Sequence, residues 1–263
     1  MNINMFSSLI NFCKKIISLT NNLKHELNYD GYKIVLKGEY NSRFVINKLE
    51  KKFFSNLDLN GKNIYDIGAY VGILSIYFAK RIGADGMLVS IEPNKFNNMK
   101  LKENVKLNNI KNIKILKIAV GERRERGRLL VPYFSYGRSK LYNKLYTKKI
   151  YNNLYYLVNV NIDSLDNIKD KYNLPNPDFI KIDIEGAEYR ALLGMKIVLE
   201  YFKPSIYIEI HQSEQDSDNE HIKEIVNYLS SFGYSIYHLE SDKYIDNRNY
   251  SIASKGHIYC SIF

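Results

Sequence analysis

Residues 63–72 read Asn-Ile-Tyr-Asp-Ile-Gly-Ala-Tyr-Val-Gly, and residues 91–93 read Ile-Glu-Pro. The first string is a short apolar run that ends in Asp66, turns at Gly68 and enters a helix near Gly72. The second closes another apolar run in Glu92, 24 residues after Gly68. An acid at the tip of the strand after a strand-turn-helix unit is the outline of a nucleoside-cofactor pocket. Gly68 lets the backbone turn tightly with no Cβ in the way. Glu92 can accept two hydrogen bonds from ribose hydroxyls.

The glycine spacing selects the cofactor. A pyrophosphate loop reads G-x-G-x-x-G. Here the order is Asp66-x-Gly68-x-x-x-Gly72, with Ala69 and Tyr70 in the region of the second glycine. Asp66 stands before the turn, where a carboxylate repels a pyrophosphate but attracts an amino or sulfonium group. S-adenosylmethionine (SAM) carries both cations and no phosphate, so the pattern points to SAM and away from a nicotinamide dinucleotide.

The chain has 263 residues and 45% hydrophobic content, enough for one α/β domain with additions. Cys13 and Cys260 are far apart and have no ligand-spaced companions. A zinc site or disulfide framework is therefore not expected, and a reducing, cytoplasmic setting is. Residues 5–23 place Met5, Leu9, Phe12, Ile16, Leu19 and Leu23 at helical spacing. Asn11, Lys14 and Lys15 interrupt the apolar run, so it is not expected to span a membrane. Charge follows the apolar part, unlike a secretory signal, and a helix packed on the domain is the expectation.

The net charge is +10, unevenly spread. From Arg126 to Asn161 there is no acid, against seven cations: Arg126, Arg128, Arg138, Lys140, Lys144, Lys148 and Lys149. This Tyr-rich insertion, about 126–161, reads either as a solvated loop or as a cover meeting an anionic partner. Arg138 and Lys140, after Gly137 at a loop tip, are the expected substrate contacts.

Around it the chain alternates. YKIVL at 32–36 is a strand and 43–56 a helix. Strand 63–67 leads to helix 71–82, strand 86–92 to helix 95–108, and strand 113–118 to a loop at 119–125. Extended runs 127–132 and 154–160 precede helix 163–172. Strand 178–183, helix 187–201, strand 204–210, helix 219–232, strand 234–239 and strand 256–262 follow. The pattern implies a mostly parallel sheet with helices on both faces and one antiparallel strand near the C-terminus. Residues 1–60 read as an extension packed on a core domain at 61–263.

A second informative string, Phe-Ile-Lys-Ile-Asp-Ile-Glu-Gly-Ala-Glu, occupies 179–188. Phe179, Lys181 and Asp183 share one strand face. A lysine in a central strand needs a partner, and Asp183, Glu185 and Glu188 are at hand. In Ser-Ile-Tyr-Ile-Glu-Ile-His at 205–211, Tyr207, Glu209 and His211 line up likewise. Ligands in such sheets sit at the carboxyl ends of strands. Asp66, Glu92, Asp183 and His211 are therefore expected to border one crevice.

These strings, with Ile-Glu-Pro-Asn at 91–94 and Glu-Asn-Val-Lys-Leu-Asn at 103–108, together resemble the FkbM-type SAM-dependent methyltransferases over roughly 64–211. The resemblance implies a Rossmann-like class I methyltransferase sandwich. It also implies O-methylation of a hydroxyl, usually on a sugar or natural product. By motif position it assigns Asp66, Gly68, Ala69, Glu92 and Pro93 to the SAM pocket, and Lys181, Asp183 and Glu185 to the active-site string. One departure is Lys-Ile-Ala-Val-Gly at 117–121, which has no Asp for the adenine amino group. Backbone groups near Ala119 and Val120 are the expected substitute.

Methyl transfer to oxygen needs alignment and a base. Asp183 is the first choice for the base and His211 the second, with Lys181 holding Asp183 ionised and oriented. A divalent ion bridging Asp183 and His211 is a subsidiary reading, and no metal site is assigned. A sugar or glycan is the expected acceptor. The alternative is an RNA ribose 2′-hydroxyl, with Asp183 and Glu209 standing at positions of a Lys-Asp-Lys-Glu set beside a basic aromatic segment. A base N-methyltransferase fails on Asp-Ile-Glu-Gly, which stands where an Asn/Asp-Pro-Pro-aromatic string belongs.

Overall fold

The computed structural model describes residues 23–37, 47–132, 139–142, 155–211 and 219–262. The expected helix at 5–23, apart from Leu23, and the contact at Arg138 lie outside these residues, as does half of the basic Tyr-rich segment, 133–138 and 143–154. A hairpin of β1 (Lys24–Tyr29) and β2 (Tyr32–Lys37) comes first, then α1 (Lys48–Ser55). The alternating part follows: β3 (Ile64–Ile67), α2 (Ile73–Arg81), β4 (Leu88–Ile91), α3 (Lys95–Leu107) and β5 (Ile113–Leu116). A ribbon interrupts it with β6 (Ala119–Val120), β7 (Glu125–Pro132), β8 (Lys140–Leu141) and β9 (Tyr155–Asp163). The chain then runs through α4 (Leu165–Lys171), β10 (Phe179–Ile182), α5 (Glu188–Leu193), β11 (Ser205–Ile210) and α6 (Glu220–Ser231). It closes with β12 (Ser235–His238), β13 (Lys243–Ile245) and β14 (Gly256–Ser261).

Eight strands form one mixed sheet in the order β13-β12-β14-β11-β10-β3-β4-β5. The neighbours from β11 to β5 are parallel. Every residue of β3, β4 and β10 is buried, as expected of strands covered on both faces. β14 runs antiparallel to both β11 and β12, and β13 antiparallel to β12. Two strands therefore oppose the parallel set, where the sequence suggests one. β13 has three residues and buries only Ile245, so no alternation betrays it.

Two further expectations are corrected. The expected loop at 119–125 contains β6, which pairs in parallel with the end of β9. The expected helix 187–201 breaks after Leu193 and resumes as a π-helical turn, Val198–Phe202. Gly194 lies at the break, where a Cβ would overlap the Gly121 carbonyl oxygen. The ribbon's close approach thus demands glycine at the place where the helix stops.

That ribbon is a four-stranded sheet ordered β6-β9-β7-β8, around Leu129, Val131, Val160 and Ile162. It leaves the core at Ala119 and returns at Asp163, and its two ends are tied by the Gly121 N–H donating to the Asp163 carbonyl at 3.0 Å. On one face of the main sheet, α5 and α6 bury Ala191, Leu192, Ile225 and Leu229 against Ile180, Ile206 and Ile208. On the other, α1, α2 and the hairpin bury Phe54, Phe78, Tyr29 and Ile34 with Tyr207. The hairpin edge is stitched to α3 by asparagines. Asn104 accepts from Lys37 N, and Asn108 both accepts from Val35 N and donates to its carbonyl. These side chains satisfy an edge that would otherwise invite pairing. Among the described residues, no helix is long and apolar enough to cross a membrane.

Candidate active site

A cavity of about 280 Å³ opens at the carboxyl ends of β3, β4, β10 and β11. Gly68, Glu92, Pro93, Ala119 and Val120 line one part of it, and Asp183, Glu185 and His211 another. Glu209, Leu141 and Ser139 complete the wall used below. Most residues expected at the crevice therefore converge.

Glu92 is held on the lining by local backbone. Its two oxygens accept from the Tyr70 and Asn94 N–H groups at 2.9 and 2.8 Å. Tyr70 reaches this bond in the left-handed region, φ 51°. Asn94 also caps α3, accepting from Phe96 N, the usual device for the first turn. Burial pushes the Glu92 pKa up to about 7 against these bonds. The carboxylate is thus fixed in position with an unusually costly charge, which suits it to hydroxyl donors.

Gly68 has φ +86°, and a Cβ there would overlap the Asp183 carbonyl oxygen. Its glycine requirement comes from the β3–β10 junction as well as from any ligand. Alanine at 68 is expected to cost ~1–3 kcal/mol from the left-handed backbone alone, with the overlap added. Thermal unfolding checks this, and a wild-type melting curve would contradict the assigned backbone. Ala69 lies just behind the lining, its N–H on the Ile91 carbonyl at 3.1 Å. Gly72, φ +90°, packs against Leu101 at the start of α2. Neither lines the cavity.

Asp66 is beneath the cavity, 1% exposed. It accepts from Ser75 Oγ at 2.5 Å, and Ser75 in turn accepts from Ser90. Its other oxygen lies 3.7 Å from Lys181 Nζ, its register partner on β10. Lys181 is equally buried and donates to Asp183 at 3.1 Å. Burial opposes its charge, but Asp183, Asp66 and Glu50 outweigh that and keep the ammonium protonated. Lys181 thus joins a buried acid to one on the cavity wall. Glu50, from α1, faces the same cluster, and burial raises its pKa to about 7.

His211 is surrounded by carboxylates. Nε2 lies 3.5 Å from Glu209, 3.8 Å from Asp183 and 3.9 Å from Glu185. Nδ1 meets Glu188 at 3.2 Å. Burial works against a charge on His211, but the Glu188 bond and the surrounding acids raise its pKa to about 9. Glu188 is fully buried and also takes His221 at 2.9 Å and the Gly186 N–H at 2.9 Å. Burial alone would raise its pKa, yet these partners lower it to about 2. Glu188 therefore serves the histidines, not Lys181. Glu185, in the left-handed region at φ 57°, lies 3.9 Å from Lys140. Asp183, Glu209 and His211 bring ligand atoms within 4.8 Å of one another and could hold a divalent ion; so could Glu50, Glu209 and His257.

Sequence reasoning missed Ser75, Ser90, Glu50 and the Glu188–His221 bond. All come from packing between elements distant along the chain. Asn97, beside Glu92 in the first turn of α3, had a local signal in its helix-start position.

A profile of the Methyltransferase FkbM domain matches residues 66–236. The chain belongs to this family. It carries a SAM-dependent FkbM methyltransferase domain, and the cavity's acidic strand tip and glycine turn suit that cofactor. Among solved structures, Methyltransferase FkbM from Methylobacillus flagellatus KT is 19% identical, with a TM-score of 0.52 over 79% of this chain. The chain spans only 46% of that protein. Aeropyrum pernix fibrillarin, in complex with natively bound S-adenosyl-L-methionine, is 13% identical with a TM-score of 0.50. There the alignment spans 91% of this chain and 82% of fibrillarin. Both share the α/β fold. A comparison with curated proteins gives no match.

Proposed function

We propose that residues 61–263 act as a methyl-transfer unit, with 1–60 as an extension, and O-methylate a hydroxyl on a sugar or glycan. The observation that carries this reading is a carboxylate on the cavity wall, Asp183, fixed by a buried lysine 3.1 Å away. SAM supplies, when bound, a methyl group already activated on its sulfonium. The chain's own residues do the rest. Glu92 receives the ribose hydroxyls, while Ala119 and Val120 line the adenine end. Asp183 takes the acceptor proton. His211, protonated up to about pH 9, cannot accept one at neutral pH; it contributes positive charge among four acids. Lys140 stands 3.9 Å from Glu185 at the acceptor side.

RNA ribose is the second reading, favoured by the gathering of Lys181, Asp183 and Glu209. A divalent ion on Asp183, Glu209 and His211 would polarise the hydroxyl instead. Activity surviving a chelator removes that variant.

The test of the cofactor site is calorimetry on Glu92→Gln. Losing a charge-assisted partner is expected to weaken SAM by ~1.5–3 kcal/mol, roughly tenfold or more. The ionised form binds hydroxyl donors, so wild-type affinity should fall as pH drops through about 7, and the Gln variant should lose that dependence. Unchanged affinity in the variant removes Glu92 from the site.

A further inference from the structure

A second, larger cavity of about 420 Å³ meets the cofactor cavity at Pro93 and shares no other described residue with it. Lys95 from the start of α3, Lys117 from the segment after β5 and Arg126 from β7 converge on it. All three are exposed. No described acid lines it. Glu125, the acid next to Arg126, is turned to Arg190 at 2.7 Å. Lys95 lies over the Phe96 ring, 4.9 Å from its centroid. Asn159 and Asn161 of β9 complete the polar wall, Asn161 standing opposite Arg126 in the strand register. Cations from three segments thus face one concavity with no compensating acid among its described lining.

We infer that this groove binds the anionic part of an acidic glycan, a part separate from the hydroxyl that is methylated. The inference rests on the glycan reading above and narrows it to an anionic oligomer. Lysine and arginine recognise carboxylate or phosphate through charge-assisted bonds. Asparagine amides donate to and accept from sugar hydroxyls. Single-stranded nucleic acid would call for rings on which bases stack, and no aromatic residue is among the described lining. Asp183, Glu185, Glu209 and His211 are absent from it as well. The acceptor is therefore long enough to reach both cavities.

The experiment uses the full chain and three labelled tetrasaccharides, with SAM affinity measured on the same samples. The probes are oligogalacturonate, maltotetraose carrying a 6-phosphate, and neutral maltotetraose. At least one anionic probe should bind, the neutral one more weakly, and the anion preferred identifies the substituent. Lys117→Ala/Arg126→Ala should weaken that anionic probe by about ten- to a hundredfold, and Lys117→Glu should weaken it further. SAM affinity should be untouched in both variants. Equal binding of all three probes, no response to the variants, or tighter variant-sensitive binding of an oligouridylate would overturn the inference. Equal binding of the three glycans would strike this inference and leave the glycan reading standing, whereas preference for the oligouridylate would strike both, so the two failures are distinguishable.

Discussion

Asp183→Asn is expected to lower turnover on a hydroxyl acceptor by ~10²–10⁴-fold, the usual contribution of a general base, while SAM affinity stays near its wild-type value. The substitution is isosteric. Lys181 keeps Asp66 at 3.7 Å, so the fold survives and the loss reads chemistry. Single-turnover rates separate this from slow product release. Near-normal rates in the Asn variant would make Asp183 structural. His211→Gln provides the contrast. With its proton held to about pH 9, His211 cannot serve as base at neutral pH, and the variant should retain more activity than Asp183→Asn. A wild-type rate that climbs as pH rises through about 9 and vanishes in His211→Gln would transfer the base role to the histidine.

Lys181→Met should be the most destabilising of these changes. It takes the ammonium away from Asp66, which is 1% exposed and whose Oδ1 has no hydrogen bond even in the native protein, only the 3.7 Å ion pair. Removing one partner of a buried pair typically costs ~3–5 kcal/mol, a large share of the ~5–15 kcal/mol that holds a domain together. Urea denaturation measures it. Adding Asp66→Asn should recover part of the loss, because the uncompensated carboxylate is then gone, and the double-mutant cycle isolates the coupling. A single-variant loss below about 1 kcal/mol, the range of exposed pairs, would show that water reaches the site.

Much of this was readable because the signals are local. β3 and β10 are short, apolar and fully buried, and each carries its acid at or beside the tip, so strand, turn and site residues sit in one window of sequence. The same logic puts Glu92, at the tip of β4, and Asp183 at the border of one crevice, and both line the cavity. Asp66 is the instructive difference. An acid before the turn reads as cofactor-facing, yet strand alternation pairs it with Lys181 across the β3–β10 register and turns it into the core. Its other partner, Ser75, is nine residues away on α2 and looks like an ordinary small helix residue. Likewise Glu188 and His221 are 33 residues apart and meet only because α5 and α6 pack together. No periodicity encodes a contact between two helices. The break at Gly194 was also hidden, since its cause is the backbone of Gly121.

The hydrogen bond between Gly121 and Asp163 means that the polypeptide leaves the core and re-enters it at a single doorway. Between those posts the chain is free to lengthen. Doubling a loop whose ends are already together adds only about 0.6 kcal/mol, and none of the parallel strands is interrupted by the addition. Leu129, Ser139 and Leu141 all hang from this detour and reach the cavity wall. This part of the cavity wall can therefore be rewritten, residue by residue or wholesale, while Gly68, Glu92 and the Lys181 pair remain as they are.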